Sequence, residues 1–496
     1  MAAVRPRIRF VLQNRRAGVF AEDPETIKTL QCFFRYQPAG FERSRKYELG
    51  VWDGWIKMLK RGYVPTGLLL ERWARLSQHF DLELEDQRKF PPFIALPEHL
   101  RENSRNFQLE CLDRMIKASS TGGIILSATG SGKTLIAGLY SACLVGKLCF
   151  VVDELTILEQ TREALGTLLK ERIGLIGEGE FRPGRITIAT SQSLHRHCER
   201  KDFVAWFKQL DVVIIDELHV ALNDRTVEVL HTIKPKAVFG LTATLERSNR
   251  EVRFQAAAIA GPVLYRYPIQ RGQAEGYLEH GAALRVRVVQ QGYNLRPQLA
   301  YKILVVESKP RNACVVELVK EGLKRGRTIV VLTERLKHLY RLSELLSGVP
   351  HKVLCGATEV KTRRAAQSDM ETGETQLILT NRIFRKSVNI TRLDTVIDCA
   401  AGRDRNAVIQ GFGRGVRLNQ NKRGFIYFDI SDAAPAHAPG CNPLAAHSVD
   451  RWAALRELDI PIDSVVWRNN ASDIWQKAEE LLSQLLRKRC LEENSK

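Results

Sequence analysis

The stretch "IILSATGSGKTLIAG", residues 124–138, decides how this chain is read. An apolar run stops at a turn holding Gly130 and Gly132, and an apolar helical pattern resumes in "TLIAGLYSACL". Strand, glycine-rich turn and helix are the context a phosphate-binding loop needs. The glycines let the backbone curl so that successive N–H groups point inward, and the helix N-terminus adds partial positive charge. In this reading Thr129, Gly130, Ser131 and Gly132 form a cradle. Lys133 reaches the β/γ-phosphates of a nucleoside triphosphate, and the Thr134 hydroxyl holds Mg2+. The strict pattern wants a glycine at 127, where this chain has Ser127. An ordinary strand-to-helix turn is the alternative.

A second apolar strand, in "DVVIIDELHV" (211–220), ends in Asp216 and Glu217. Adjacent carboxylates at the end of a buried parallel strand are costly unless a cation or a reacting water uses them. Asp216 suits the Mg2+, and Glu217 suits proton abstraction from water. Far downstream, "QGFGRGVRL" (410–418) spaces Gln410, Arg414 and Arg417 by four and three, one face of a helix. Two readings stay open there: a basic exposed helix, or guanidinium groups that stabilise charge developing on a γ-phosphate.

In order, these pieces resemble the superfamily 2 helicases. "RNFQ" (105–108) resembles the adenine-reading element, which implies that Arg105 and Gln108 serve the base. "VVDELTILEQT" (151–161) and "ATSQSL" (189–194) resemble motifs Ia and Ib. "GLTATLER" (240–247) resembles motif III, implying that Thr242 and Thr244 couple hydrolysis to movement. "TIVVLTERLKHLYRL" (328–342), "LILTNRIFRKSVNITRLDTVI" (377–397) and "QGFGRGVR" resemble motifs IV, V and VI. The match spans about 310 residues. "YELGVWDGWIKMLKRGYVPTGLLL" (47–70) is similar to the W-D-G-x-I … P-x-G-L block of UvsW-type phage helicases, and "HSVDRW" (447–452) to their segment after motif VI. Those proteins remodel forks, D-loops and Holliday junctions. The chain departs from the pattern at Asp153-Glu154, where relatives have Pro-Thr, and at Leu245, where proline is common. Ser387 and Asn389 stand where glycine and aspartate are frequent.

The resemblance implies an ATP- and Mg2+-dependent DNA helicase acting on branched or forked DNA and single/double-strand junctions. Replication or recombination proteins are its candidate protein partners. An RNA helicase or RNA-remodelling ATPase is the alternative, and a non-catalytic nucleic-acid-binding module with a degenerate motor is a second. Thr190, Gln192, Thr333, Arg335 and Thr380 are the candidate nucleic-acid contacts, each with an ordinary alternative as a cap or turn former.

Charge agrees with a polyanionic partner: 75 basic against 56 acidic residues give +19. The excess is concentrated in 301–430, with 24 basic and 13 acidic residues, and in the first 61, with 13 and 6. That N-terminal excess motivates an expectation that the domain engages duplex arms beside a junction. Ten cysteines without a C-x-x-C pair, several in apolar runs (Cys143, Cys149, Cys314), read as buried thiols in a reducing cytoplasm, bacterial or phage-infected. "HRHC" (195–198) reads as a helix surface rather than a zinc site. The apolar run 135–152 reads as helix then strand, with no membrane partner.

The expected fold is α/β. Two tandem RecA-like lobes with doubly wound parallel sheets occupy 98–280 and 281–430. A small α+β domain at 1–97 precedes them and a helical extension at 431–496 comes after. The alternating runs "RPRIRFVL", "TLQCFFRY" and "YELGVW" suggest the N-terminal strands. "KFPPFIALPEHL" (89–100) reads as a linker. Trp52, Trp55 and Tyr63 read both as a small sheet core turned at Asp53-Gly54 and as a DNA platform.

Overall fold

The computed structural model describes residues 5–493 apart from 154, 178, 198–199, 223–228, 231–233, 246–248, 293–294, 382–389 and 439. Two compact units emerge, one of residues 1–127 and 132–267, the other of 128–131 and 268–496.

The first unit opens with a four-stranded sheet: β1 (Arg7–Leu12), β2 (Arg16–Ala21), β3 (Tyr63–Pro65) and β4 (Asp81–Asp86), in the order β3-β2-β1-β4. Ile8, Phe10 and Leu12 alternate inward from β1, as a sheet with one solvated face requires. The helix Thr66–Leu76 packs on that inner face. "TLQCFFRY" is a strand only in its last two residues, Arg35–Tyr36, which pair antiparallel with Ile56–Lys57. It finishes the helix Pro24–Gln31, capped by Asp23, and passes through a short turn of helix at Cys32–Phe34. "YELGVW" likewise holds a short helix, Arg45–Glu48, and turns. Local caps and Gly50, at φ +68°, override the alternation there. Trp52 and Trp55 are half-buried, with the Trp52 indole donating to the Trp55 carbonyl at 2.9 Å. Tyr63 is exposed on the outer sheet face rather than in the core.

Part-buried bonds key this N-terminal sheet into the rest of its unit. The Asn14 amide lies 2.7 Å from the Ser120 carbonyl and 3.2 Å from that of Lys236. Arg15 donates to the carbonyls of Thr121 and Ile259, and burial pushes its guanidinium down to about 10. Phe254 and Ala257 of the helix Arg250–Ile259 complete the N-terminal apolar core. The proline-rich 89–100 is tied down: the Ile94 N–H donates to the Cys143 carbonyl at 2.8 Å and Val145 N–H to that of Pro92 at 3.0 Å. Gly67 explains the glycine of the P-x-G-L block. A Cβ there would meet the Ala257 carbonyl oxygen and the Gly261 Cα, each at 2.6 Å. Both contacts are backbone, so Gly67→Ala is expected to destabilise by about 1–3 kcal/mol. A lowered urea midpoint with unchanged slope checks it.

The large sheet of this unit uses β5 (Gly122–Ser127), β6 (Leu148–Val152), β7 (Gly174–Gly177), β8 (Glu180–Arg182), β9 (Ile186–Thr190), β10 (Val212–Asp216), β11 (Ala237–Thr242) and β12 (Val263–Tyr267). Their order is β8-β7-β9-β6-β10-β11-β5-β12, and only β8 is antiparallel to its neighbour. The central strands are apolar without alternation because both faces are covered.

The second unit is an all-parallel seven-stranded sheet. It contains β13 (Gly281–Val289), β14 (Ile329–Leu332), β15 (Lys352–Leu354), β16 (Leu377–Thr380), β17 (Thr395–Asp398), β18 (Phe425–Ala433) and β19 (Ile462–Val466). Their order is β15-β16-β14-β17-β18-β13-β19. The C-terminal region is helical as expected, in Ala445–Arg456 and Ala471–Glu493, but it also supplies the edge strand β19. Ile474, Trp475, Ala478 and Leu482 enter the core of this unit. No helix among the described residues is long and apolar enough to cross a membrane, and no group of three metal-ligating side chains occurs among them. Cys198 lies outside the described residues; Cys143, Cys149 and Cys314 are buried.

Candidate nucleotide site

Strands β5, β10 and β11 are neighbours, so their C-terminal ends converge. In open parallel sheets ligands bind outside those ends. Gly130 and Gly132 have φ of +85° and +86°, the left-handed region that favours glycine. Gly132 precedes the helix Lys133–Cys143, and a Cβ on it would stand 2.9 Å from the Gln108 amide nitrogen. Ser131 is buried, with its N–H donating to the Ala128 carbonyl at 3.2 Å. The Thr129 hydroxyl is buried without a hydrogen-bond partner. Thr134 is half-buried one residue into the helix. Gln108 is buried, and its Oε1 accepts from the Arg105 N–H at 3.0 Å.

Lys133 Nζ lies 3.7 Å from Glu217 Oε1 and 3.5 Å from the Ser127 carbonyl. Glu217 itself has φ +49°. A left-handed non-glycine residue costs roughly 1–2 kcal/mol, which the surroundings must hold in place. Its Oε2 stands 3.4 Å from Thr242 Oγ1 and 3.3 Å from His219 Nδ1. His219 and Thr242 are 3.0 Å apart, and Thr242 also donates to the Thr244 carbonyl at 2.8 Å. Sequence reading passed over His219, because its partner arrives from the next strand; a histidine two residues after the glutamate was the available signal. Burial, then the neighbouring Glu217, push the Asp216 carboxyl up to about 7 against the pull of Lys133. A buried carboxylate so poorly compensated fits a divalent cation.

The second unit places Gln410 and Arg414 on the helix Arg405–Gly415. Arg417 lies past its end, not on the continuous face that the spacing predicts, because the helix stops at Val416. Burial lowers the Arg417 guanidinium, with Glu371 opposing. The loop leading into this helix is gripped through its carbonyls. Arg311 donates to Cys399 O at 3.1 Å, His447 Nδ1 lies 3.0 Å from Ala401 O, and Arg451 donates to Gly402 O at 2.9 Å. Arg451 also pairs with the buried Asp429 at 2.9 Å. The "HSVDRW" segment thus anchors the start of the motif VI helix.

Lys422 Nζ holds the other end, donating to the carbonyls of Gly415 and Arg417 at 2.8 Å each. Burial pushes its ammonium down to about 8, against Glu279 and Asp394. The folded chain therefore binds this proton less tightly than the unfolded one. The cost of burying the charge is fully present below about 8 and fades as pH rises toward 10.5, the ordinary lysine value. The charge-assisted grip on the two carbonyls fades earlier, as the folded ammonium loses its proton around pH 8. ATP hydrolysis is expected to decline a few-fold above pH 8, and Lys422→Arg to carry the plateau higher. Steady-state rates across pH check it.

The threonines expected at the nucleic acid are buried. Thr190 is buried and its hydroxyl accepts from the Ser193 N–H at 3.1 Å, a helix cap. Thr333 and Thr380 are fully buried at strand ends, with Thr333 Oγ1 3.4 Å from the Thr380 carbonyl. The Thr380 hydroxyl is buried without a hydrogen-bond partner. Gln192 and Arg335 are exposed, and Arg335 stacks on Tyr301 at 4.4 Å. Glu154, Ser387 and Asn389 lie outside the described residues.

The family described as "Type III restriction enzyme, res subunit" matches residues 101–247, and "Helicase conserved C-terminal domain" matches 311–419. The ATP-dependent DNA helicase uvsW of Enterobacteria phage T4 is 20% identical over 481 residues, covering 88% of this chain and 92% of its own. The DNA 3'-5' translocase XPB2 of Sulfurisphaera tokodaii is 26% identical over 166 residues, covering 34% of this chain and 36% of its own. Among solved structures, a fragment of a putative HsdR subunit of a type I restriction enzyme from Vibrio vulnificus YJ016 has a TM-score of 0.51 at 19% identity. It covers 77% of this chain and 70% of its own, a likeness of fold.

Proposed function

Since the chain belongs to the superfamily 2 helicases and is an ATP-dependent motor on nucleic acid, we propose that its substrate is branched DNA. It would unwind or branch-migrate forks, D-loops and Holliday junctions in recombination, repair or replication restart. The carrying observation is that likeness to the phage DNA helicase extends over 88% of the chain, well beyond the two matched helicase segments. The tryptophan-rich N-terminal block and the segment after motif VI lie outside them.

In this proposal Arg105 and Gln108 serve the adenine, and residues 129–132 with Lys133 hold the phosphates. Thr134 and Asp216 hold Mg2+, which polarises phosphate oxygens when bound. Glu217 takes the proton of the attacking water, and His219 and Thr242 keep its carboxylate aimed. Thr242 and Thr244 pass the state of the site to the rest of the motor. Arg414 and Arg417 supply positive charge to the γ-phosphate, and Gln410 orients the water. Gln192 and Arg335 touch the nucleic-acid backbone, and the N-terminal domain engages DNA beside the junction.

Strand separation of forked, four-way, D-loop and linear DNA, with and without ATP, tests the reading, with a forked RNA as a further arm. We expect at least tenfold faster ATP-dependent turnover of forked and four-way DNA than of linear duplex. Equal rates on linear DNA, or preference for RNA, would overturn it.

A further inference from the structure

The outer face of the N-terminal sheet carries aromatic groups that the motor does not use. Phe20 on β2 is 50% exposed and Tyr63 on β3 is 41% exposed. Gly18 lies between them; a Cβ there would sit 3.2 Å from the Phe20 ring and 3.8 Å from the Tyr63 ring. A guanidinium lies over each ring, Arg9 at 5.0 Å from Phe20 and Arg16 at 4.4 Å from Tyr63. Arg9 also reaches Glu85 at 3.9 Å. Arg16 bonds the Gln13 amide oxygen and has no carboxylate partner among the described residues.

Charge on this face is divided. The β4 margin exposes Glu83 and Glu85, which pair with Arg7 at 3.2 Å and Arg9 at 3.9 Å on β1, while the turn entering β3 exposes Lys60. The β1–β4 margin is thereby near neutral, and the positive charge of Arg16 and Lys60 draws a polyanion toward β2 and β3. On that side two half-exposed rings lie on adjacent strands, a diagonal of about 7–8 Å between backbones. Nucleobases stack on such rings whatever their sequence. A duplex keeps its base faces inside its own stack and offers only phosphates and groove edges, so the rings would add nothing to duplex binding.

We propose that this face is a binding site for unpaired DNA bases: Phe20 and Tyr63 each stack one base of a strand opened at the junction, and Arg16 and Lys60 hold its phosphates. The assignment of the strand to a junction rests on the branched-DNA reading above; stacking itself does not. The ordinary account of the rings is that they shield the bare backbone of Gly18. Leucine shields equally well and offers no π-face, so it separates the two accounts.

The test uses the full chain and three probes: a DNA single strand with 2-aminopurine, a fork carrying the same label in its open arm, and a linear duplex. Wild type is expected to quench the label on both unpaired probes. Phe20→Leu with Tyr63→Leu is expected to lose the quench and roughly ten- to hundredfold in single-strand affinity. Duplex affinity and the thermal midpoint stay unchanged, and Phe20→Trp retains the quench. Leucine variants that bind single strands as wild type does, or lose duplex and single strand alike, overturn the site. Tighter binding of an RNA strand than of the DNA strand overturns the choice of DNA. If wild type quenches single strands yet shows no fork preference, the branched-DNA reading falls and the stacking site stands.

Discussion

Glu217→Gln is expected to leave ATP bound and slow its hydrolysis by roughly 10²–10⁴-fold, the usual contribution of a general base. Glutamine fills the same volume and keeps a carbonyl oxygen toward Thr242 and His219, 3.4 and 3.3 Å from the present carboxylate. It cannot accept a proton at neutral pH. Single-turnover hydrolysis, measured beside binding of a fluorescent nucleotide, separates chemistry from affinity. A variant that hydrolyses at the wild-type rate would move the base to another residue. Glu217→Gly adds an independent check. The left-handed backbone at φ +49° is strained for glutamate and free for glycine. The glycine variant is expected to match or exceed wild-type thermal stability while losing hydrolysis, the signature of a residue kept for chemistry at some cost in stability.

Arg414→Ala and Arg417→Ala address the other half of the proposal. If one of them meets the γ-phosphate as charge develops, its loss is expected to lower kcat by roughly 10³–10⁵-fold with little change in ATP affinity. Arg417→Lys is expected to recover little, because an ammonium lacks the planar fork of donors. The two positions differ in how they are supported. Arg414 lies in the last turn of its helix, whereas Arg417 depends on a non-helical backbone whose carbonyl Lys422 holds at 2.8 Å. Removing Lys422 is therefore expected to resemble the Arg417 variant more than the Arg414 one. Should either arginine variant keep kcat and lose only nucleic-acid affinity, that arginine belongs to the DNA path instead.

Much of the architecture was legible because buried parallel strands are short, apolar and bounded. "GIILS", "VVIIDE" and "QLILTN" each became a strand within a residue or two of the expected run. Strands that break this rule were not legible. Arg285 and Arg287 interrupt β13, whose Arg285 bonds Ser431 across the sheet at 3.1 Å. "VLYRY" and "IDSVV" sit at sheet edges with mixed burial, so no periodicity marks them. The phosphate loop and the acidic pair were legible because contiguous residues build them. The link of His219 to Thr242 was not, because tertiary pairing of β10 with β11 brings them together. Threonines at strand ends are an ambiguous signal, since the residue type that contacts phosphates is also the one that caps and fills layers.

The seam made by Asn14, Arg15 and Gly67 sets a length. The N-terminal sheet shares part-buried bonds and an apolar core with the body that carries Lys133 and Glu217. A base seated on Phe20 would travel with that body as one piece, at an unchanging distance from Lys133 and Glu217. Such a protein would measure DNA from one fixed jaw: the spacing between that base and Glu217 should be the same before and after every turnover.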